Sequence, residues 1–220
     1  MKKFAVFAAT AALCFFLCSC SGAPDIYERV SQIRSACFIG ESDTFKVTAY
    51  SETKEYPLKA DGFAGEMHDF VILKVKFKNT ENMLITGLSV DFSLDKDYSA
   101  SLPFKAETDA YVATVAVDKL PGETFTATIT YGEKSENVSL QPSKKGSMSP
   151  TKALTVAAQY KKALIDKLTS ENTDFEIMIR FMTESDTPFW YVGIVESQYT
   201  TALLISDDGK VLAEKRLKNQ

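Results

Sequence analysis

Val71-Ile72-Leu73-Lys74-Val75-Lys76-Phe77-Lys78 carries an apolar side chain at every second position, with lysine taking over the alternate positions from Lys74 onward. Successive side chains of a strand point to opposite faces, so Val71, Leu73, Val75 and Phe77 share one face and the lysines the other. A period of two over this length, rich in Val and Ile, predicts a half-buried β-strand. The pattern recurs on both sides. Phe45, Val47 and Ala49 alternate with Lys46, Thr48 and Tyr50, and Leu88, Val90, Phe92 and Leu94 alternate with Ser89, Asp91 and Ser93. Tyr111 to Val117, Phe125 to Tyr131 and Glu136 to Leu140 add strands, separated by turn-forming pieces such as Asp95-Lys96-Asp97 and Leu120-Pro121-Gly122. Pro103 demotes the run Ala100 to Lys105 to an edge strand. Many short strands with no helix between them predict an antiparallel β-sandwich.

Upstream of the strands the period is helical. Asp25-Ile26-Tyr27-Glu28 reads as a capping box, with Ile26, Val30, Ile33 and Cys37 on one helix face. Downstream, Gln141-Pro142-Ser143-Lys144-Lys145-Gly146-Ser147 suits a linker. Ser149 then caps a helix with Pro150 at its first position, whose apolar face runs from Leu154 to Leu168. Four strands follow: Phe175 to Met182, Phe189 to Glu196, Thr200 to Ser206, and Val211 to Leu217 after the turn Asp207-Asp208-Gly209. The expected class is therefore α+β. Residues 25–141 form a helix and sandwich, 142–148 a linker, and 149–220 a helix-plus-antiparallel-sheet domain.

The N-terminus supplies an address. Lys2-Lys3 precede an apolar stretch from Phe4 to Leu17, broken only by Thr10, and small residues follow, which is the order of an export signal. The stretch is shorter than the roughly 20 residues that span a membrane, so residues 1–19 read as a cleaved signal peptide. Leu17-Cys18-Ser19-Cys20 resembles a bacterial lipobox, which implies a diacylated Cys20 as the first mature residue, a tether over 20–24, and attachment to the extracytoplasmic face of the cell membrane. The chain carries 25 Lys+Arg and 29 Asp+Glu, a net −4, which becomes −6 once Lys2 and Lys3 leave with the signal. That balance offers no basic footprint for nucleic acid. With Cys14 and Cys18 removed and Cys20 acylated, Cys37 has no disulfide partner and reads as a small buried hydrophobe.

Leu120 to Tyr131 resembles the penultimate-strand region of immunoglobulin-like and fibronectin-like bacterial domains. The last unit resembles the PepSY domain of secreted proteins and peptidase propeptides, through its helix, the strand Phe189-Trp190-Tyr191-Val192-Gly193-Ile194 and the ending Leu204-Ile205-Ser206-Asp207-Asp208-Gly209-Lys210-Val211-Leu212; Ser206 stands where that family has an Asp. The whole layout resembles uncharacterised lipoproteins of Gram-positive bacteria, a likeness that implies no activity.

Chemistry-bearing motifs are sparse. Ser51 to Lys54 and Ser149 to Lys152 match Ser-x-x-Lys, but no Lys-Thr-Gly strand accompanies them, and Ser149 serves as a helix cap. His68 is the only histidine, which excludes paired-His zinc sites. Asp207-Asp208-Gly209 lacks the spaced oxygen ligands of a calcium loop. Lys74, Lys76 and Lys78, about 7 Å apart along one strand face, read as a solvated face or a protected sheet edge. The expectation is a non-catalytic binding module with no cofactor, the alternative being a regulator or inhibitor of a secreted peptidase. Its partners would be the membrane, through the lipid, and an envelope protein or peptidase. One helix covers only one face of a sheet, so alternation in the last strands leaves apolar side chains, drawn from Met178, Met182, Trp190 and Tyr191, on a face that either packs on the sandwich or serves as a contact surface for a partner.

Overall fold

Asp25 does cap a helical segment, but only one turn of it. In the computed structural model, which describes residues 25–59, 61–79, 87–143, 148–183 and 187–219, the Asp25 carboxylate accepts the Tyr27 N–H at 3.2 Å and a 3-10 turn runs over Ile26–Arg29. The chain then becomes strand β1 (Val30–Glu41). The signal segment, Cys20, the tether and residues 144–147 of the expected linker lie outside the described residues. The reason for the misread helix is local. Arg34 pairs with Glu52 and Ala36 with Ser51, so Ser35 is an extra residue, and the register also slips between Val30 and Gln32. Such bulges destroy the period of two, and the surviving apolar spacing mimics a helix.

The remaining elements are β2 (Phe45–Glu55), β3 (Met67–Phe77), β4 (Ser89–Ser93), β5 (Asp97–Ser101), β6 (Phe104–Lys105), β7 (Ala110–Ala116), β8 (Phe125–Tyr131), β9 (Lys134–Pro142), helices α1 (Pro150–Tyr160) and α2 (Lys162–Ser170), then β10 (Phe175–Met182), β11 (Phe189–Glu196), β12 (Tyr199–Ser206) and β13 (Val211–Lys218). All thirteen strands form one curled sheet, ordered β13-β12-β11-β10-β1-β2-β3-β7-β6, from which β9, β8, β4 and β5 branch at β1. Strand accounts for 56% of the described residues and helix for 15%, which makes the fold mainly β and corrects the α+β expectation.

β1 is the strand on which everything else hangs. One edge pairs with β2 along its length, from Gln32↔Lys54 to Glu41↔Lys46. The other edge is shared. Its first half pairs in parallel with β10 (Val30↔Ile177 to Arg34↔Arg180), and Phe38 and Ile39 pair with Pro142 and Gln141 of β9. At that junction a β-carbon on Gly40 would lie 2.3 Å from the Ser139 carbonyl oxygen, so the crossing requires glycine.

Two cores result. Phe38, Val47, Ala49, Val71, Leu73 and Val75 pack against Val90, Ile129, Val138 and Leu140 of the branch. Leu154, Ala157 and Leu168 of the helices pack against Ile177, Ile179, Phe181, Trp190, Val192, Ile194, Leu203 and Ile205. Each fully buried side chain of this size contributes about 1.5–3 kcal/mol. The folded-over strands thus cover one part of the sheet, and the helix pair covers another.

Candidate ligand groove

Between those two covers the sheet is open. A groove of about 580 Å³ has Val30 and Ile33 of β1, Thr53 of β2, Met67 of β3 and Ile179 of β10 beside it, and is closed by Tyr27 and Glu28, by Phe63, Ala64 and Gly65, and by Pro150, Thr151 and Leu154 at the start of α1. The helix start is fixed by Ser149, whose hydroxyl accepts the Lys152 N–H at 3.2 Å. Apolar side chains dominate the lining. Thr53 is occupied, donating its hydroxyl to Asp69 at 2.6 Å. A volume in the range of small-molecule sites, mostly apolar with a few polar groups at the rim, is the form that binding sites take.

One buried cation builds the wall. Arg29, 4% exposed, donates from Nη1 to the carbonyls of Gly62 (2.9 Å) and Phe175 (3.3 Å). Its guanidinium lies between the rings of Phe63 (4.6 Å) and Phe175 (4.2 Å). Burial pushes its pKa down, against the pull of Asp174 and Glu28. Gly62 is held at φ +85°, where a β-carbon would also meet Asp174 at 2.9 Å, and the Ala64 N–H donates to the Glu28 carbonyl at 2.8 Å. The 3-10 turn, the β2–β3 connection and β10 are therefore tied at one point. Beside the groove, Glu55 is 3% exposed and neither of its carboxylate oxygens has a hydrogen-bond partner.

The expected contact residues do not come together. Trp190 is fully buried in the helix-covered core, 5.2 Å from the ring of Phe181. Met178, Met182 and Tyr191 alternate to the opposite face, and there they are half-buried. Arg180 fills the space between them, lying over the Tyr191 ring at 5.8 Å and within 3.4 Å of Met178 Sδ. It donates to Gln32 Oε1 at 2.9 and 2.5 Å. Next along this face, Glu52 receives Arg34 at 3.1 Å and Lys54 at 3.3 Å. Burial pushes the Arg180 pKa down, Arg34 lowers it further, and Glu52 and Tyr191 raise it. Cys20 lies outside the described residues.

The other singled-out residues have ordinary partners. His68 sits 3.6 Å from Glu66 with Tyr56 edge-on to its ring. Lys76 reaches Asp109 at 3.8 Å and Lys78 reaches Glu41 at 2.7 Å. Cys37 is 2% exposed, and its sulfur accepts the Thr183 hydroxyl at 3.1 Å. Among the described residues no group of three or more His, Cys, Asp or Glu is placed to hold a metal ion. Reading the sequence missed Arg29, Phe63 and Thr151 as site residues, because the groove draws on separate segments from Tyr27 to Ile179 that no spacing rule connects. Comparison of the chain with protein-family models, curated proteins and solved structures gives no match, so the groove's own residues carry the functional argument.

Proposed function

We propose that this chain is a lipid-anchored, extracytoplasmic binding module that takes an apolar or amphiphilic ligand into the groove between its two sheet covers. The groove carries this reading. It is a concave, largely apolar site with a clamped wall, whereas Met178, Met182 and Tyr191 are folded around Arg180 rather than offered as open surface. The groove also sits where the chain leaves toward Cys20, which suits a ligand drawn from the envelope. The mostly apolar lining favours binding over turnover.

Two measurements test it. Wild type should fractionate with membranes and carry an acyl mass on Cys20, and Cys20→Ala should lose both. A pyrene-labelled fatty acid should bind the mature chain saturably. Thr151→Trp, which fills the groove from an exposed helix position, should abolish that binding and leave thermal unfolding unchanged. Binding that survives the substitution would put the ligand elsewhere.

A further inference from the structure

We propose that the end of the molecule from which the chain leaves toward Cys20 is a membrane-docking surface, seated in the interfacial layer of the bilayer that holds the lipid. β1 begins at this end, and because β2 is antiparallel to it, the connection after Glu55 returns to the same end. Four large apolar side chains stand exposed there: Tyr27 (48%), Tyr56 (60%), Leu58 (60%) and Phe63 (45%). They are not loose. Arg29 backs the Phe63 ring, Tyr56 lies edge-on to Phe70 at 5.9 Å, and its N–H donates to the Glu66 carbonyl at 3.0 Å. Clustered exposed apolar groups on a clamped rim mark an interaction surface.

What covers it follows from the length of the tether. Five residue steps separate Cys20 from Asp25, and an extended chain covers at most about 3.3–3.6 Å per step, roughly 17 Å in all. A folded body held that closely must turn one surface to the headgroups. Tyrosine rings, apolar in the body and polar at the tip, favour that layer, and amphipathic elements settle about 5–10 Å into it. The charged neighbours are of mixed sign, with Lys54 and Lys59 against Asp25, Glu28, Asp61 and Glu66, so the docking is apolar and independent of anionic lipid. Lys46, Lys76 and Lys78 lie at the opposite end of β1, level with Glu41 and about 36 Å from Val30 at 3.3 Å per residue, and face away from the bilayer. Tyr27 and Phe63 belong to both rim and groove, so docking opens the groove onto lipid.

The proposal rests on the lipid proposed at Cys20, and the test separates the two. The full mature lipoprotein, with Cys37→Ala as background, carries one new cysteine at a time: Leu58→Cys, Tyr27→Cys, or Lys46→Cys at the far end. Each is labelled with an environment-sensitive fluorophore and reconstituted into phosphatidylcholine vesicles, with and without phosphatidylglycerol and with nitroxide-bearing lipid. Probes at 58 and 27 should shift their emission to shorter wavelength and be quenched in both compositions, while the probe at 46 stays as in water. Acylated, vesicle-bound protein whose probes at 58 and 27 match the one at 46 overturns docking and leaves the anchor standing. Protein with an unmodified Cys20 that stays off the vesicles overturns both. Quenching only with phosphatidylglycerol overturns the apolar mode.

Discussion

Glu52→Gln is the substitution whose cost can be worked most directly. Glu52 is 1% exposed, and one of its oxygens receives both Nε (3.2 Å) and Nη2 (3.1 Å) of Arg34 while the other faces Lys54 Nζ at 3.3 Å. Arg180 also feels its charge. The amide keeps the shape and removes the negative charge that Arg34, Lys54 and Arg180 share. Losing one partner of a fully buried pair costs about 3–5 kcal/mol. Here the side chains of Arg34 and Lys54 are 17% and 30% exposed and keep some water, so the expected loss is about 2–3 kcal/mol. With a urea m-value of about 2–3 kcal/mol/M for a chain of this size, the denaturation midpoint should fall by roughly 1 M. Glu66→Gln, at an exposed pair, should stay within about 0.5 kcal/mol of wild type. Adding Arg34→Met to Glu52→Leu should restore part of the loss, because uncompensated charge is then removed from both sides. A midpoint for Glu52→Gln indistinguishable from wild type would refute the view that this carboxylate organises the face.

Gly40→Ala should destabilise by at least about 2–3 kcal/mol in the same assay, since its β-carbon would lie 2.3 Å from a backbone oxygen that cannot swing away. Burial pushes the Glu136 carboxyl up, but hydrogen bonds from Ser42, Thr44 and Tyr131 outweigh it and hold it at about 2. Its contribution is therefore complete above the unfolded value of about 4.3 and disappears as pH falls through about 2. Glu136→Gln should lose about 1–2 kcal/mol at pH 7, discounted for partial exposure, and show a flatter fall in stability between those two pH values. The Cys37 thiol should resist a maleimide in the native protein and react in urea; rapid native labelling would contradict its burial.

Where alternation is unbroken, sequence and structure coincide. Phe175–Met182 and Phe189–Glu196 are strands over the limits their patterns set, and Phe125–Tyr131 likewise. β1 was hidden because its two register shifts erase the period on which a strand is recognised. Its parallel pairing with β10 joins residues more than 140 positions apart, and no local signal encodes that. Trp190 shows a different limit. Alternation correctly separates Trp190, Val192 and Ile194 from Tyr191, but it does not say which set meets the helix. The set with Trp190 does, together with Ile177, Ile179 and Phe181, because it offers the larger continuous apolar area. The remaining face is left with Arg180 among its apolar groups, and a charged side chain needs the access to water that the covered face lacks.

The groove follows from the same geometry. An 11-residue helix such as α1 is about 16 Å long, enough to cross roughly three strands spaced 4.8 Å apart. It packs on β10 and β11 and reaches β1. The branch through β9 can return only to the later part of β1, because Phe38 and Ile39 supply its hydrogen bonds while β10 already occupies the edge from Val30 to Arg34. Only the first turn of α1 reaches the start of β1, and the branch stops short of it, so the start of β1 and the end of β2 are left partly open. Apolar Val30 and Ile33 border a gap walled by the start of α1, the 3-10 turn and the β2–β3 connection, and Arg29 is the clamp that ties the last two together. A strand shared between two covers thus produces both the open site and its position beside the 3-10 turn over Ile26–Arg29.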